Sequence, residues 1–309
     1  HAKTNIVKLI DKTHPSDLAL IFRYFNDVEQ DSIFSNMLAS EETVKFLYEL
    51  DESIATRLIE NETPERLAKI MEQASSNEQV FLMGLVSDQF ATSVIDLLQA
   101  EEQEELEEMM AYPEDSAGIL MYTDVFTLHE ETKAREAIYA LQDQEDAEMV
   151  CYLYTLDDDG SLTGVISLRD LVTTPGETML KDIMSKNIQA VRPETDQEEV
   201  ARIVSQYNFL AVPVVDADEK LLGIVTVDSV VDVIREEATE DFLQLAGAGK
   251  DREILLKSSW ENARIRLPWL FASWVGGILA AFIIGIFNNI LESAIALAAF
   301  IPVIIGMGG

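Results

Sequence analysis

Two copies of one sequence pattern stand in tandem, and an uncharged apolar run follows the second copy. The copies cover 119–170 and 182–228, with Met121 and Met184 at equivalent positions. In each copy an aliphatic residue comes four positions after the methionine, and a threonine suited to a helix start comes eleven positions after it. A repeat at fixed spacing predicts duplicated units that pack on each other.

Each copy is predicted to fold as strand, helix, strand, strand and helix. An aspartate-rich turn separates the last two strands, at 157–160 in the first copy and at 216–220 in the second. Strands alternating with helices predict an α/β module. The predicted strands are 148–156, 161–168, 209–215 and 221–227, and the predicted helices are 132–142 and 197–207.

The chain before the first copy is predicted to be helical from about residue 15 to residue 112. Short segments recur, each opening with polar residues and continuing with apolar residues at helical period. A helix of about twelve residues is marginal on its own, so we expect stacked helix pairs that form an all-α superhelix. The acidic stretch 101–108 fits a solvated helix face better than a metal site. The segments begin at Asp51, Thr63, Ser76, Asp88 and Ala100.

Charge limits the partners of this chain. The net charge is −34, and residues 1–249 hold 52 acidic against 17 basic residues. Nucleic acid is not an expected partner, because binding its phosphates needs clustered Lys and Arg. Cations are the natural partners of such a surface, although an excess of acids serves solubility equally well. The single cysteine, Cys151, lies in an apolar run and excludes a disulfide framework.

A membrane segment is expected near the end of the chain. Residues 268–287 carry no charge and are rich in aliphatic and aromatic residues. Twenty helical residues span roughly 30 Å, the hydrocarbon thickness of a bilayer. Arg264 and Arg266 just before this run place residues 1–267 in the cytoplasm. A second apolar run follows Glu292, and we expect a membrane domain that is truncated at Gly309.

The two copies resemble CBS domains, and the chain as a whole resembles the MgtE family of magnesium transporters and channels. The stretches that carry the resemblance are 112–121, 167–171, 195–200, 212–216, 223–228, 237–241 and 302–309. The resemblance implies an all-α superhelical N-terminal domain, an α/β tandem CBS domain, a long connecting helix and transmembrane α-helices. The implied boundaries are 1–117 for the helical domain, 118–181 and 182–242 for the CBS domains, 246–267 for the connecting or plug helix, and 268–309 for the start of a truncated membrane domain.

The same resemblance implies a magnesium transporter or channel that crosses the cell (inner) membrane several times. Its acidic cytosolic domains would sense intracellular Mg²⁺ and close the pore through the plug helix. It further implies a homodimer formed through the CBS domains and the membrane helices, with Mg²⁺ as a ligand, ATP as a second candidate ligand, and contact with the lipid bilayer. The pore residues of the family lie beyond residue 309, so this chain is expected to hold the regulatory part and only the start of the pore.

Carboxylates on facing domain surfaces suit a weak magnesium sensor, because Mg²⁺ prefers oxygen ligands and keeps several of its waters. Asp216 and Asp218 fit an ordinary hairpin turn equally well, and Asp228 fits a helix cap. The metal ligands that the resemblance implies are Asp96, Asp216, Asp218, Asp228, Asp251, Glu253 and Glu62.

A nucleotide site is implied by the CBS pattern Ser/Thr-x-x-Asp after the last strand, which brings a hydroxyl near phosphate and a carboxylate near ribose. Ser167, Arg169 and Asp170 complete this pattern in the first copy, whereas Ser229 replaces the carboxylate in the second copy. One good site per subunit is therefore the most that we expect. Ser167 and Asp170 fit a simple helix cap equally well.

An enzyme is not expected, because no catalytic constellation is evident in the sequence. His1, His14 and His129 are scattered, and no glycine-rich phosphate loop follows a predicted strand. The alternative to a transporter is a membrane-anchored CBS sensor of adenine nucleotide or divalent metal, with no transport activity of its own. A protein-docking role for residues 1–117 also stays open.

Overall fold

A computed structural model of the protein describes residues 10, 12–38, 40, 42–143, 152–245 and 259–286. The chain divides into two units, residues 1–234 and 235–309. The first unit contains the helical region and both repeats. The second unit begins inside one long helix and contains the last described helix.

Short helices of six to eleven residues build the first part of the described chain. Those that begin at Glu52 and Pro64 follow Asp51 and Thr63 as predicted, because these residues serve as N-caps. The next three helices begin at the predicted residues, although their N-caps are Ser75, Ser87 and Gln99. The helices are α1 (Pro15–Phe22), α2 (Asp27–Met37), α3 (Thr43–Tyr48), α4 (Glu52–Glu60), α5 (Pro64–Met71), α6 (Ser76–Gly84), α7 (Asp88–Ile95) and α8 (Ala100–Met110).

Helices two positions apart in the chain pack together, which confirms the predicted stacking of short helices. α1 contacts α3, α5 contacts α7, and α6 contacts α8. In the first of these pairs the rings of Phe22 and Phe46 meet edge to face with their centroids 5.0 Å apart. Both rings are fully buried, so packing stabilises helices that are too short to persist alone.

Both repeats contain the predicted helix and the predicted hairpin of two strands. In the first repeat β1 pairs parallel with β2, and β2 pairs antiparallel with β3. In the second repeat β4 pairs antiparallel with β5, and the first predicted strand is reduced to a parallel bridge between Val191 and Val214. The elements are α9 (Ala117–Leu120), β1 (Thr127–His129), α10 (Ala134–Asp143), β2 (Tyr152–Leu156), β3 (Leu162–Ser167), α11 (Leu168–Thr173), a 3₁₀ turn (Leu180–Asp182), α12 (Gln197–Tyr207), β4 (Ala211–Val215) and β5 (Leu221–Thr226).

The segment that leads into each repeat adds to the sheet of the other repeat. Tyr122 forms an antiparallel bridge with Ile224 of β5, and Ser185 forms the same bridge with Val165 of β3. Glycines at the two crossing points, Gly223 and Gly164, leave room for the side chains of Met121 and Met184. The two repeats are therefore interlocked rather than strung in series.

The hydrophobic core is shared in an unexpected way. Buried residues of the helical domain are continuous with those of the second repeat, including Val200 of α12, Val212 of β4 and Val225 of β5. The first repeat has its own core around Leu153 and Ile166. The short helix α9 makes this connection, because it packs against α6 and α8 on one side and α12 on the other. The helical domain is thus docked on the second repeat.

Two further helices follow, α13 (Val227–Leu245) and α14 (Ser259–Ile286). Residues 246–258 lie outside the described part of the chain, and with them most of the predicted plug helix, including Asp251 and Glu253. The helix α14 runs across the predicted boundary at residues 267 and 268 and contains Pro268. Searched over the described residues, the structure contains no helix that is both long and apolar enough to cross a membrane. The expected transmembrane helix is therefore not confirmed, and residues 287–309 also lie outside the described part.

Candidate functional site

A cleft of about 760 Å³ lies between the helical domain and the repeats. One wall comes from α3, α5, α6 and α8 and the residues that cap them. The other wall comes from the segment that enters the first repeat, from β5 and from the first turn of α13. The lining residues are Glu42, Lys45, Glu72, Gln73, Ala74, Ser75, Ser76, Glu78, Gln79, Glu102, Glu105, Tyr122, Thr123, Asp124, Ile224, Thr226 and Asp228.

The cleft is strongly acidic. Seven of its described lining residues are Asp or Glu, and Lys45 is the basic one among them. Five of the acids belong to the helical domain, whereas Asp124 and Asp228 belong to the repeats. Carboxylates therefore face each other across a gap that separates two domains. A smaller cavity of about 460 Å³ also includes Glu105, Thr123 and Asp124 in its lining.

Helix N-termini position two of these carboxylates. Glu78 in the first turn of α6 accepts hydrogen bonds from the backbone N–H of Ser75, at 3.0 Å, and from its hydroxyl, at 2.8 Å. Glu102 in the first turn of α8 accepts a bond of 3.3 Å from the backbone N–H of Gln99. Both contacts follow the capping-box pattern, in which a glutamate at N3 bonds back to the N-cap residue. The local sequence thus fixes these acids on the cleft wall.

Tyr122 lies at the centre of the cleft between the two domains. Burial raises the pKa of its phenol, and the charges of Asp228 and Glu78 raise it further. Hydrogen bonds with Ser229 and Asn77 act in the opposite direction and lower the pKa. The two carboxylates come from α13 and α6, so negative charge from both domains acts on the same phenol.

Asp228 is the predicted metal ligand that the structure brings face to face with acids of the helical domain. It is exposed in the first turn of α13 and lines the cleft. Asp228 is the second residue of the helix rather than its N-cap, and an acid in the first turn favours the helix dipole. Its role as a metal ligand stays a prediction.

Asp216 and Asp218 lie in the hairpin that joins β4 to β5. One carboxylate oxygen of Asp216 accepts hydrogen bonds from the backbone N–H groups of Asp218, at 2.9 Å, and Lys220, at 2.8 Å. Asp157 makes the same two kinds of bond in the hairpin of the first repeat. Asp216 therefore has the turn-forming role that was the alternative to metal binding.

Asp216 also faces the helical domain. Burial raises the pKa of the Tyr112 phenol, and the charges of Glu108, Glu194 and Asp216 raise it as well. Tyr112 donates a hydrogen bond of 3.4 Å to Glu108. Acids from the end of α8, from the segment before α12 and from the β4–β5 hairpin thus surround one tyrosine.

The remaining predicted metal ligands are dispersed. Asp96 is exposed and caps the C-terminus of α7. Glu62 forms an ion pair of 2.7 Å with Arg66, and its side chain is 11% exposed. Among the residues that the structure describes, no group of three or more His, Cys, Asp or Glu side chains is arranged to hold a metal ion.

The predicted nucleotide residues lie at the start of α11. Ser167 is the N-cap, accepts a bond of 3.1 Å from the backbone N–H of Asp170 and donates its hydroxyl to the Asp170 carboxylate at 2.7 Å. Arg169 is exposed beside them. In the second repeat the equivalent Thr226 and Ser229 are buried and lie 3.4 Å apart through their hydroxyls. The cap is present, and nucleotide binding stays a prediction.

Sequence reasoning missed most of the cleft. Five cleft acids on or beside short helices, together with Asp124, were not among the predicted ligands, and the stretch 101–108 was interpreted as a solvated face. The capping pattern at Ser75 and Gln99 was a local signal for where Glu78 and Glu102 point. Nothing local indicates that α6 and α8 face β5 and α13.

Comparison with known proteins agrees with the two-part architecture. Residues 13–115 match the MgtE intracellular N domain, and residues 117–176 and 180–236 each match the CBS domain. The magnesium transporter MgtE of Bacillus subtilis is 30% identical over 302 residues, which is 97% of this chain and 66% of that protein. The magnesium transporter MgtE of Enterococcus faecalis is 39% identical over 211 residues, which is 68% of this chain and 46% of that protein.

Solved structures give the same result. The cytosolic domain of the Mg²⁺ channel MgtE in complex with ATP aligns with a TM-score of 0.70 and 32% identity, covering 74% of this chain and 93% of that one. The soluble part of a magnesium transporter aligns with a TM-score of 0.64 and 28% identity, covering 76% of this chain and 98% of that one. This chain spans about half to two thirds of the length of the full-length relatives.

Proposed function

The chain belongs to the MgtE family, and from this membership we propose that it is the regulatory part of a magnesium transporter of the cell membrane. The helical domain and the CBS pair sense intracellular Mg²⁺ through the acidic cleft between them. Closure of the cleft is transmitted along α13 towards the pore. The observation that carries the proposal is the facing of helical-domain carboxylates by Asp124 and Asp228 of the CBS pair.

Charge provides the sensing step. Two like charges 4 Å apart repel by about 4 kcal/mol at the effective dielectric constant typical of protein surfaces, which exceeds the net contribution of one hydrogen bond, about 1 kcal/mol. Opposed carboxylates therefore favour an open cleft when no divalent cation is bound. A divalent cation between them reverses the sign of this interaction, so the closed state has the higher affinity for Mg²⁺ that a switch requires.

The coordination chemistry of Mg²⁺ suits such a cleft. Mg²⁺ usually keeps several waters and is held by one or two carboxylates rather than by an all-protein cage. A wall of separate carboxylates is sufficient for this mode, and the described residues contain no tighter cluster. Weak binding of hydrated ions is what a sensor working near the millimolar range needs.

ATP is proposed as a second ligand, at Ser167, Arg169 and Asp170. The related cytosolic domain was solved in complex with ATP. In this chain the Ser167 hydroxyl and the Asp170 carboxylate meet at the start of α11, and Arg169 between them in sequence is exposed. The second repeat has the buried Ser229 in place of a carboxylate. One site per subunit follows from this difference.

A homodimer is proposed through the helices that follow the last strand of each CBS domain. These helices carry exposed aliphatic side chains, Val172 on α11 and Val231 and Ile234 on α13, at 68%, 48% and 47% exposure. Complete burial of such a side chain is worth about 1.5–3 kcal/mol, and these are already one third to one half buried, so a second copy stabilises each by about 1–2 kcal/mol. Light scattering of Val231→Asp against the wild-type chain tests this face.

Limited proteolysis tests the sensing function. The chain is digested across 0 to about 20 mM MgCl₂, the range of weak sites, with KCl at matched ionic strength as the control for screening. We expect protection in Mg²⁺ that is absent in KCl and is lost in the double variant Glu72→Gln, Asp228→Asn. The control variant Asp17→Asn, Asp159→Asn removes two exposed acids away from the cleft and should keep the protection. Equal cleavage in Mg²⁺ and KCl would falsify the proposal.

A further inference from the structure

Tyr122 and Thr123 connect the two walls of the cleft. The backbone of Tyr122 belongs to the second repeat, because its N–H donates to the carbonyl of Ile224 at 2.8 Å and its carbonyl accepts from the N–H of Ile224 at 2.9 Å. Tyr122 is thereby an additional strand residue beside β5. The Tyr122 ring packs against residues of the repeats, and the Thr123 side chain that follows contacts the helical domain.

Their contacts on the helical domain come from two separate helices. The backbone N–H of Thr123 donates to the hydroxyl oxygen of Ser76 at 3.0 Å, and the two hydroxyls lie 2.7 Å apart. The Thr123 hydroxyl also donates to the carboxylate of Glu105 on α8. The phenol of Tyr122 lies near Ser229 of the second repeat and near Asn77 of α6. The two bonds between Thr123 and Ser76 are partly buried, and the bond to Glu105 is exposed.

We propose that Tyr122 and Thr123 form a latch that holds the helical domain against the second CBS domain and sets the opening of the acidic cleft. The latch is a conformational device that acts before any cation binds. Its effect on Mg²⁺ sensing rests on the proposed function, whereas the docking of the two domains does not.

The duplicated sequence provides an internal comparison for the latch. Ser185 and Lys186 occupy the equivalent positions in the second repeat, and Ser185 keeps the same backbone bridge, to Val165. Both side chains are exposed. The shared bridge therefore belongs to the CBS pair itself, and Thr123 adds the connection to the helical domain.

The latch opposes the mutual repulsion of the cleft acids. Without cations the acids favour opening, and the hydrogen bonds of Thr123 favour closure. Removing a hydrogen bond to a charged group changes an equilibrium by about ten- to hundredfold in the open-to-closed ratio. Thr123→Val keeps the shape of the side chain and removes its hydroxyl, so we expect an open population about tenfold larger in KCl alone.

Cross-linking tests the latch directly. In a background with the single cysteine replaced, Cys151→Ser, the pair Ser76→Cys, Thr123→Cys is exposed to a mild oxidant, and the pair Ser76→Cys, Ser185→Cys serves as the matched control. Hydroxyls 2.7 Å apart occupy positions from which two thiols reach disulfide geometry. We expect the first pair to cross-link at least about tenfold faster than the control pair, because the hydroxyls of the first pair are in direct contact, whereas Ser185 is bridged to Val165 of the first repeat.

Cleavage of the Thr123→Val variant in KCl is the second readout, with Lys186→Ala as its control. Cross-linking no faster than in the control pair, or a cleavage rate of Thr123→Val equal to that of the wild type, would overturn the latch. If Mg²⁺ still protects the chain from proteolysis after either of these outcomes, the sensing function stands without the latch. If both latch tests succeed but Mg²⁺ does not protect the chain from proteolysis, the sensing function is refuted and the latch is not.

Discussion

Replacing Gly223 with alanine should weaken the crossing between the linker segment and β5. A Cβ atom at this position would lie 2.5 Å from the carbonyl oxygen of Tyr122 and 3.1 Å from the side chain of Met121. The first contact involves backbone that also forms the bridge to Ile224. Because this backbone cannot rotate away as a side chain does, the strands must separate.

The expected cost follows from these contacts. Loss of the two bridge hydrogen bonds costs about 2 kcal/mol, and overpacking costs about 1–3 kcal/mol. Alanine also lowers the conformational entropy of the unfolded chain relative to glycine, which offsets about 0.4–1 kcal/mol of this cost. The net destabilisation of the crossing is therefore about 2–4 kcal/mol, which corresponds to a 30- to 1,000-fold increase in local opening at about tenfold per 1.4 kcal/mol.

Gly164→Ala is the matched control at the other crossing. A Cβ atom there meets the side chain of Met184 and no backbone atom among its nearest contacts. The Sδ and Cγ atoms of Met184, at 2.4 and 2.6 Å, can repack, whereas its Cβ atom, at 2.7 Å, is held by the backbone. We therefore expect a cost of about 1–3 kcal/mol, and truncation in Gly164→Ala, Met184→Ala should relieve only the part that comes from Sδ and Cγ. A double-mutant cycle measures this relief as a coupling energy.

Hydrogen exchange is the suitable assay, because it reports local opening amide by amide. The amides of Tyr122 and Ile224 should exchange faster in Gly223→Ala. Those of Val165 and Ser185 should change less in Gly164→Ala, because no bridge carbonyl is among the nearest contacts there. Exchange of the Tyr122 amide within twofold of the wild-type rate in Gly223→Ala would refute the predicted clash between the alanine Cβ and the Tyr122 carbonyl.

Three further outcomes are expected. The pKa of Tyr122 is raised above its ordinary value of 10.0, so stability present below pH 10 should be lost as the pH rises through the raised pKa, and Tyr122→Phe should flatten that loss in urea titrations at high pH. Asp216→Ala should destabilise the β4–β5 hairpin by about 1–3 kcal/mol, whereas Asp216→Asn retains an acceptor and should cost less than half as much in the same titrations. Gln30, at 5% exposure, donates to the carbonyls of Phe22 and Phe25 at 3.0 and 3.2 Å, and Gln30→Ala should cost about 1–3 kcal/mol by denaturant unfolding.

The repeat pattern was sufficient to predict the elements of the CBS pair. The predicted helix 197–207 is observed as Gln197–Tyr207, and the strands predicted at 161–168, 209–215 and 221–227 differ from the observed ones by a residue or two at their ends. The strand predicted at 148–156 is observed as Tyr152–Leu156, and its first four residues lie outside the described part of the chain. Periodicity and turn residues are local signals, so they locate elements well. The first strand of the second repeat was overestimated, because a single bridge at Val191 carries the same aliphatic pattern as a full strand.

Fewer residues of the candidate site could be predicted from the sequence. Asp228 was predicted and lies in the cleft, whereas Asp216 is occupied by turn hydrogen bonds that its repeat counterpart Asp157 also makes. Glu62 was predicted as a ligand and is paired with Arg66. Whether a carboxylate is available to a cation depends on which groups surround it, and those groups come from distant parts of the chain.

The sequence alone determined the kinds of elements, their order, the duplication and the acidic character of residues 1–249, because each of these depends on neighbouring residues or on composition. Only the tertiary structure decided that the helical domain shares its core with the second repeat and that Glu78 and Glu105 face Asp124 and Asp228. Docking of this kind arises from the burial of apolar surface between elements far apart in sequence, which is non-directional and leaves no periodic signal in either partner.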